Sequence, residues 1–240
     1  MAEGKKVVLC VPVWVRPQQA TLDSIRASLP LLEAAGWEHS MAQIRDLPYI
    51  SAARATMLRA ALDTKADVIV FIDQDVSWEP QDLLTLIETE GDVVAGTYRP
   101  KIDDEQYMGS PEYDPVTFIP KVRPSDGAIA GRLVPAGFLK ITPACVDRFM
   151  VAYPQHCYGL MFHLSVDLFN HGVHNRLWTG EDYSFCLNWL KIGGEIWIVP
   201  NLNINHHGKD GKVYKGNYHQ FLMKQPGGVN DPARQQMAAD

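Results

Sequence analysis

The fold of this chain is indicated by residues 67–80, which read Asp67-Val68-Ile69-Val70-Phe71-Ile72-Asp73-Gln74-Asp75-Val76-Ser77-Trp78-Glu79-Pro80. The five apolar residues from Val68 to Ile72 are typical of a central parallel strand that is buried on both faces. In open α/β sheets, ligands bind beyond the carboxyl ends of such strands. Two carboxylates placed there, Asp73 and Asp75, are costly to bury unless a cation neutralises them. We therefore predict that they hold a divalent metal, which in turn holds a diphosphate.

A second interpretation of these acids is purely structural. Asp75 and Ser77 precede a helical pattern that opens at Pro80, so the two acids could simply end a strand or cap a helix. The spacing of two aspartates does not by itself decide between the two interpretations.

The N-terminal part of the chain alternates between strand and helix patterns, which predicts a doubly wound sheet. The strand patterns cover 7–13, 38–46, 68–72 and 92–98, and the helix patterns cover 22–32, 51–62 and 83–87.

Pro30 predicts a kink in the first helix, or two shorter helices. Ser51 is the expected N-cap of the second helix. Arg54 lies in the first turn of that helix, where a cation opposes the macrodipole, and this favours either an anionic partner or a solvated surface arginine.

Composition predicts an ordinary globular protein of one large or two small domains. The chain has 240 residues, of which 46% are hydrophobic and 21% are charged. The net charge of −6 disfavours nucleic acid and anionic membranes as general partners. No apolar run approaches the ~20 residues that span a bilayer, and the N-terminus lacks a signal-type segment. Four separated cysteines (Cys10, Cys145, Cys157 and Cys186) are typical of reduced core thiols, so we expect a cytoplasmic protein, in the host cytoplasm if it is encoded by a phage.

Two long segments have little periodicity. Residues 99–128 contain five prolines, and residues 153–178 contain four histidines whose spacing matches no zinc site. Loops of this length are usually functional lids or disordered, although a harmless insertion is equally compatible with the sequence. Between the two segments, Thr142 is the expected N-cap of a helix with Pro143 at its first position.

Two further motifs follow in the last third of the chain. Gly180-Glu181-Asp182 opens a helix, where acids commonly only complement the dipole. Asn205-His206-His207-Gly208 comes later and is followed by three lysines, at positions 209, 212 and 215.

The order of these parts resembles the GT-A superfamily of nucleotide-sugar-dependent glycosyltransferases, in particular small members from bacteriophages and bacteria. Three features carry the resemblance: the Asp-x-Asp at 73–75, the Gly-Glu-Asp at 180–182 and the His-x-Gly at 206–208. The resemblance implies a single Rossmann-like α/β domain over 1–220, with a mixed, mostly parallel sheet flanked by helices. It divides the domain into a nucleotide-binding half (1–98) and an acceptor and catalytic half (99–208), with a polar tail at 221–240.

The resemblance also implies roles for individual residues. Asp75 and His206 would bind Mn²⁺ or Mg²⁺, with His207 as the rival ligand, and Asp73 would contact the donor ribose or reach the metal through water. Asp182 would be the base of an inverting transfer, and Glu181 would hold the acceptor or orient the loop. The nucleoside-diphosphate sugar would meet Pro12, Val13, Arg54, Gln74, Gly137 and Lys212. The charge of Lys209, Lys212 and Lys215 suggests that they screen the pyrophosphate.

Several alternatives stay open at this stage. The acceptor could be a glycan or a hydroxymethylated base of phage DNA. The Asp-x-Asp-x-Val pattern also occurs in haloacid-dehalogenase-like phosphatases, although these place it on their first strand. A non-catalytic module that binds nucleotide sugars is the third possibility.

Overall fold

The computed structural model describes residues 4–160 and 163–224. Its helices are α1 (Gln19–Ala34), α2 (Ile50–Asp63), α3 (Pro80–Glu88), α4 (Pro143–Ala152), α5 (Glu181–Lys191) and α6 (Tyr218–Lys224). Its strands are β1 (Lys5–Val13), β2 (Trp37–Arg45), β3 (Val68–Ile72), β4 (Val76–Ser77), β5 (Val93–Ala95), β6 (Ser110–Pro111), β7 (Ile129–Leu133), β8 (Phe138–Ile141), β9 (Cys157–Leu160), β10 (His163–Val166), β11 (Gly172–His174), β12 (Leu177–Thr179), β13 (Trp197–Ile198), β14 (Asn205–His207) and β15 (Val213–Tyr214). The expected tail at 221–240 begins within α6, and residues 225–240 lie outside the described residues.

Eight strands form one mixed sheet in the order β2-β1-β3-β8-β5-β13-β7-β6. Six of them run in one direction, whereas β7 and β8 run in the opposite direction. The predicted mixed, mostly parallel α/β sheet is therefore confirmed. The strand β3, predicted to be a central parallel strand, has a parallel neighbour only in β1, because the antiparallel β8 lies between β3 and β5. All four residues of β8 are buried, so this strand belongs in the centre of the sheet.

Helices cover both faces of the sheet. Successive residues of each central strand point alternately to one face and to the other. On β3, Ile69 and Phe71 pack in the cluster that contains the apolar residues of α2, α4 and α5. Val68, Val70 and Ile72 pack in the cluster formed with α1 and α3. The side chains of the uninterrupted apolar run, which predicted a strand buried on both faces, thus pack in two separate cores.

Local boundary signals were correct in some places and wrong in others. Thr142 caps α4 as predicted, accepting a hydrogen bond from the Cys145 amide with Pro143 at the first position. Helix α1 is continuous through Pro30, so the prediction of two shorter helices was wrong. Helix α2 begins at Ile50 with Tyr49 as its N-cap, so the prediction of Ser51 as the cap was wrong. Ser51 is a buried residue of the first helical turn.

The region 153–178 contains more regular structure than its sequence predicted. β9 pairs with β10 and β11 pairs with β12, giving two antiparallel hairpins. Asn175 and Arg176 both have positive φ, as a tight two-residue hairpin connection requires. The segment 99–128 is largely irregular, as expected, apart from β6 and isolated bridges.

A small three-stranded sheet, β15-β14-β4, lies beyond the carboxyl end of β3. Its strands are antiparallel, and they place His206 opposite Val76. This pairing brings the late histidine motif next to the aspartates that follow β3.

All four cysteines are free, and three of them are buried. Burial raises the pKa of the Cys10 thiol to about 12, so it behaves as a neutral core residue. Among the described helices, none has both the length and the apolar character needed to cross a bilayer.

Candidate active site

A cavity of about 370 Å³ opens at the carboxyl ends of β1 and β3. Seven of the residues predicted to bind the donor, the metal or the acceptor line it: Pro12, Val13, Arg54, Asp73, Gln74, Asp75 and Glu181. The remaining lining residues are mostly apolar: Trp14, Leu47, Pro48, Ile50 and Ala53. The cavity therefore combines three carboxylates and one guanidinium with a largely apolar lining.

Gln74 fixes the wall of this cavity. Its side-chain oxygen accepts a hydrogen bond from the Trp14 amide at 3.0 Å. Its carbonyl accepts one from the Gln18 amide at 2.7 Å and one from the Thr21 hydroxyl at 3.0 Å. The residue between the two aspartates thus ties the β3 end to the loop that follows β1.

Asp75 and His206 lie side by side, with Nε2 of the imidazole 3.7 Å from Oδ1 of the carboxylate. The other ring nitrogen, Nδ1, donates to the Arg99 carbonyl at 2.9 Å. Because a carbonyl can only accept, Nδ1 carries a proton, and Nε2 is the ring nitrogen that faces Asp75. Histidines that bind metals commonly have this arrangement, in which a backbone carbonyl fixes the tautomer.

His207 has a different environment from its neighbour. Its Nε2 lies 2.7 Å from the Ser77 hydroxyl. Successive residues of a strand point to opposite sides, so only one of the two histidines of β14 can face Asp75. The geometry favours His206 over His207 as the metal ligand.

Lys101 is a site residue that the sequence analysis missed. Its ammonium group forms an ion pair with Oδ2 of Asp75. Burial opposes the ionisation of Asp75, but His206 and Lys101 outweigh it and hold the pKa of this carboxyl at about 2. Nothing local marks Lys101, because it lies in the proline-rich segment after β5 among other charged residues.

Arg54 is buried, with 3% of its surface exposed, and its partners are groups of the chain itself. It donates to Oδ1 of Asp73 at 2.9 Å and to the Ala136 carbonyl at 3.1 Å, and it lies 3.7 Å from Glu181. Burial opposes its charge, but Asp73 and Glu181 raise the pKa of the guanidinium. The anionic partner expected from its position in the helix is therefore a pair of carboxylates in the same chain, and contact with a donor phosphate stays a prediction.

Gly137 lets two side chains approach the backbone closely. A Cβ at this position would lie 2.0 Å from the Tyr98 hydroxyl and 2.4 Å from Oδ2 of Asp73. The Gly137 carbonyl also accepts the Asp73 amide at 2.9 Å. Gly137 therefore positions Asp73. The predicted contact of Gly137 with the donor sugar stays a prediction.

Asp182 lies in the first turn of α5, next to Glu181. Its Oδ1 accepts the Tyr183 amide at 2.8 Å. Burial and the adjacent Glu181 raise the pKa of Asp182 to about 6, despite the opposing effect of that amide. A carboxyl with this pKa is ionised at neutral pH and is still basic enough to accept a proton.

Lys212 forms an ion pair with Asp103, which links the β14–β15 hairpin to the start of the 99–128 segment. Lys209 and Lys215 are exposed on the same part of the chain. These positions are compatible with the predicted screening of a pyrophosphate, which stays a prediction.

The residues present fit a small divalent ion that is completed by substrate. Within residues 4–160 and 163–224, no cluster of three or more histidine, cysteine, aspartate or glutamate side chains forms a full ligand set. Mg²⁺ in phosphate-transfer sites is commonly held by one or two carboxylates, with phosphates and water filling the other positions, and imidazole also suits Mn²⁺. Asp75 and Nε2 of His206 would supply such a partial set.

No protein-family model matches the chain, and no curated protein matches it. It is similar to the solved structure of GalNAc-T7 with UDP, GalNAc and Mn2+, at 11% identity over 86% of this chain and 44% of that one, with a TM-score of 0.48. It is also similar to residues 1–349 of S. aureus TarS in complex with UDP-GlcNAc, at 12% identity over 81% of this chain and 56% of that one, with a TM-score of 0.42. A third similar structure is a glycosyltransferase involved in the glycosylation of the major capsid of PBCV-1, at 10% identity over 63% of this chain and 66% of that one, with a TM-score of 0.32.

The chain thus spans between 44% and 66% of the length of the chains in these three structures. Identities this low, together with TM-scores below 0.5, leave the function to be inferred from the residues of the site.

Proposed function

We propose that this chain is a metal-dependent glycosyltransferase that moves a sugar from a nucleoside-diphosphate sugar to an acceptor hydroxyl. The observation that carries the proposal is the cavity at the carboxyl ends of β1 and β3, which has Asp75 beside a correctly oriented His206 on its acidic side. Ligand sites of open α/β sheets occur in this position.

The cavity offers different surfaces to the two ends of a nucleotide. Its apolar lining, which includes Pro12, Val13 and Trp14, suits the flat face of a base. Asp73, Gln74 and Asp75 line the same cavity, and we expect the ribose and the diphosphate to bind beside them. Arg54 holds Asp73 in place through the buried ion pair.

A divalent ion, when bound, would neutralise charge that develops on the departing diphosphate. Asp75 and His206 would hold that ion. The Arg99 carbonyl would keep the imidazole in the ligating tautomer through its bond to Nδ1. The ordered β14–β4 pairing keeps both side chains at the same point.

Asp182 would accept the proton of the acceptor hydroxyl as the sugar is transferred, and direct displacement by that hydroxyl would invert the transferred carbon. Its raised pKa of about 6 suits this role, since a base works best when its pKa lies near the working pH. Glu181, which lines the cavity and lies 3.7 Å from Arg54, would orient the acceptor loop.

The acceptor would bind near the hairpins β9–β10 and β11–β12, which precede Asp182 in the chain. A glycan is the preferred acceptor. A hydroxymethylated DNA base would have to be extruded from the duplex, and the net charge of −6 offers no general attraction to DNA.

The first test is thermal stabilisation by UDP, GDP and CDP, each with Mn²⁺. Ligands that bind only the folded state raise the melting temperature by mass action. We expect at least one nucleotide to raise the melting temperature only when Mn²⁺ is present, and we expect Asp75→Ala to abolish this response. Hydrolysis of an aryl phosphate, combined with no response to any nucleotide, would instead favour the phosphatase alternative.

A further inference from the structure

The Asp75 carboxylate is shared between two partners on opposite sides. Oδ2 carries the ion pair with Lys101, while Oδ1 faces Nε2 of His206 at 3.7 Å. The side chain of Asp75 is 25% exposed and that of Lys101 is 34% exposed, so both members of the pair are accessible to solvent, and Asp75 also lines the cavity.

The segment that carries Lys101 is folded over the site by several bonds. The Arg99 guanidinium donates to the Asp103 carbonyl at 2.7 Å, and the Ile102 amide donates to the Pro100 carbonyl at 2.8 Å. The Arg99 carbonyl accepts from His206, and Asp103 pairs with Lys212. Residues 99–103 therefore form a compact turn that is attached to the same histidine that faces Asp75.

We propose that Lys101 is an internal counter-ion that holds Asp75 before the donor arrives and then moves to the diphosphate, so that the metal and the nucleotide bind with strong mutual dependence. The inference rests on the proposed function, since it takes Asp75 and His206 as the metal ligands.

The charges explain why Lys101 would couple the two ligands. A divalent cation that approaches Asp75 alone must break the ion pair and displace a like charge. A nucleoside diphosphate gives the displaced ammonium a new anionic partner on the same side of the cavity. The nucleotide should therefore strengthen metal binding and, by thermodynamic reciprocity, the metal should strengthen nucleotide binding by the same factor.

Removing the charge of Lys101 should change both quantities in predictable directions. In Lys101→Gln, Mn²⁺ alone would bind more tightly because it no longer competes with the ammonium. UDP, GDP or CDP would enhance Mn²⁺ binding less, because the amide cannot follow the phosphates. We expect the dissociation constant for Mn²⁺ alone to fall about tenfold, which corresponds to about 1.4 kcal/mol, and the enhancement by the nucleotide to shrink about tenfold.

The experiment is isothermal titration of Mn²⁺ into the full chain, with and without each of the three nucleoside diphosphates. The matched control is Lys121→Gln, which removes the same charge from an ion pair with Glu112 that involves no residue of the cavity. This variant should show the Mn²⁺ affinity and the nucleotide enhancement of the unsubstituted chain.

Three results would overturn the inference. The first is an unchanged or weakened Mn²⁺ affinity in Lys101→Gln together with an unchanged enhancement by the nucleotide. This result would contradict the role of Lys101 but would not contradict the proposed glycosyltransferase function. An equal change in Lys121→Gln would assign the effect to net charge. If Mn²⁺ failed to bind to any of these proteins with any of the three nucleotides, both the inference and the metal-dependent function would fail.

Discussion

At the scale of single residues, the two adjacent histidines of β14 have separate roles. His206 faces Asp75 with its Nε2, whereas His207 contacts Ser77. Burial lowers the pKa of His207, so this ring stays neutral at physiological pH. A neutral ring bonded to a hydroxyl is typical of a structural contact.

This difference predicts opposite behaviour for two substitutions. His206→Ala should abolish the Mn²⁺-dependent nucleotide response and should also lower the free energy of unfolding by about 1 kcal/mol, because it removes the hydrogen bond to the Arg99 carbonyl. His207→Ala should retain the response and lower the free energy of unfolding by about 1 kcal/mol through the lost hydrogen bond. The measurement is the melting temperature with and without Mn²⁺ and nucleotide. The reverse assignment of effects would identify His207 as the ligand.

The raised pKa of Asp182 is expected to favour its proposed role as a base while lowering the free energy of unfolding at neutral pH. The pKa of Asp182 is raised from 3.8 to about 6 in the folded chain. Between these two pH values, the carboxyl is therefore largely protonated in the folded state and largely ionised in the unfolded state. Stability therefore falls as the pH rises from about 4 to about 6. Asp182→Asn removes this cost while its side-chain oxygen can still accept the Tyr183 amide.

We expect Asp182→Asn to raise the free energy of unfolding by up to about 3 kcal/mol at pH 7, and to change it little below about pH 4. Transfer activity should fall by about 10²–10⁴-fold, as for loss of a general base. Urea unfolding at both pH values, combined with a transfer assay, measures the two effects. A stability gain of equal size at pH 4 would show that ionisation of Asp182 is not the cause.

At the scale of elements, helix α1 carries an internal destabilising residue. Pro30 is exposed and lies within the continuous helix Gln19–Ala34. Proline in this position lacks the amide that would bond to the Arg26 carbonyl, and its ring crowds that carbonyl. The buried face of the helix, which includes Ile25 and Leu32, keeps α1 intact despite this cost.

Pro30→Ala should therefore stabilise the chain. The gain in helix propensity is about 3 kcal/mol, and the greater freedom of the unfolded chain offsets about 1 kcal/mol of it. We expect a net gain of about 1–2 kcal/mol in urea unfolding. Ala27→Gly, at an exposed position in the same helix, is the control and should cost about 1 kcal/mol. A loss of stability in Pro30→Ala would mean that the proline ring makes packing contacts that outweigh its cost to the helix.

At the scale of the whole molecule, both apolar clusters depend on the same strands. Val70 of β3 packs in one cluster and Phe71 in the other, and Leu9 and Cys10 divide in the same way on β1. Neither layer can lose its packing without exposing one face of the shared sheet.

This shared sheet predicts a single cooperative unfolding transition. Trp78 is buried in the α1/α3 cluster and Trp189 in the α2/α4/α5 cluster, so tryptophan fluorescence reports on both layers. We expect the midpoints in urea to coincide when unfolding is followed by fluorescence and by far-ultraviolet circular dichroism. Two separated transitions would show that the layers unfold independently.

The sequence by itself determined the features that depend on neighbouring residues. The apolar run of β3, the Thr142-Pro143 start of α4 and the Gly180-Glu181 start of α5 all follow from signals within a few positions. Burial patterns, caps and proline geometry act over one or two turns of backbone, so these signals can be read locally.

Only the tertiary structure decided which distant residues meet. The insertion of β8 beside β3, the pairing of β14 with β4 that orients His206 toward Asp75, and the placement of Lys101 on Asp75 all join parts that are far apart in the chain. The same holds for Arg54, whose partners Asp73 and Glu181 lie on other elements. Such contacts form because the whole sheet and both cores are buried together. The free energy of that burial depends on residues from the whole chain, so it cannot be inferred from any short stretch of sequence.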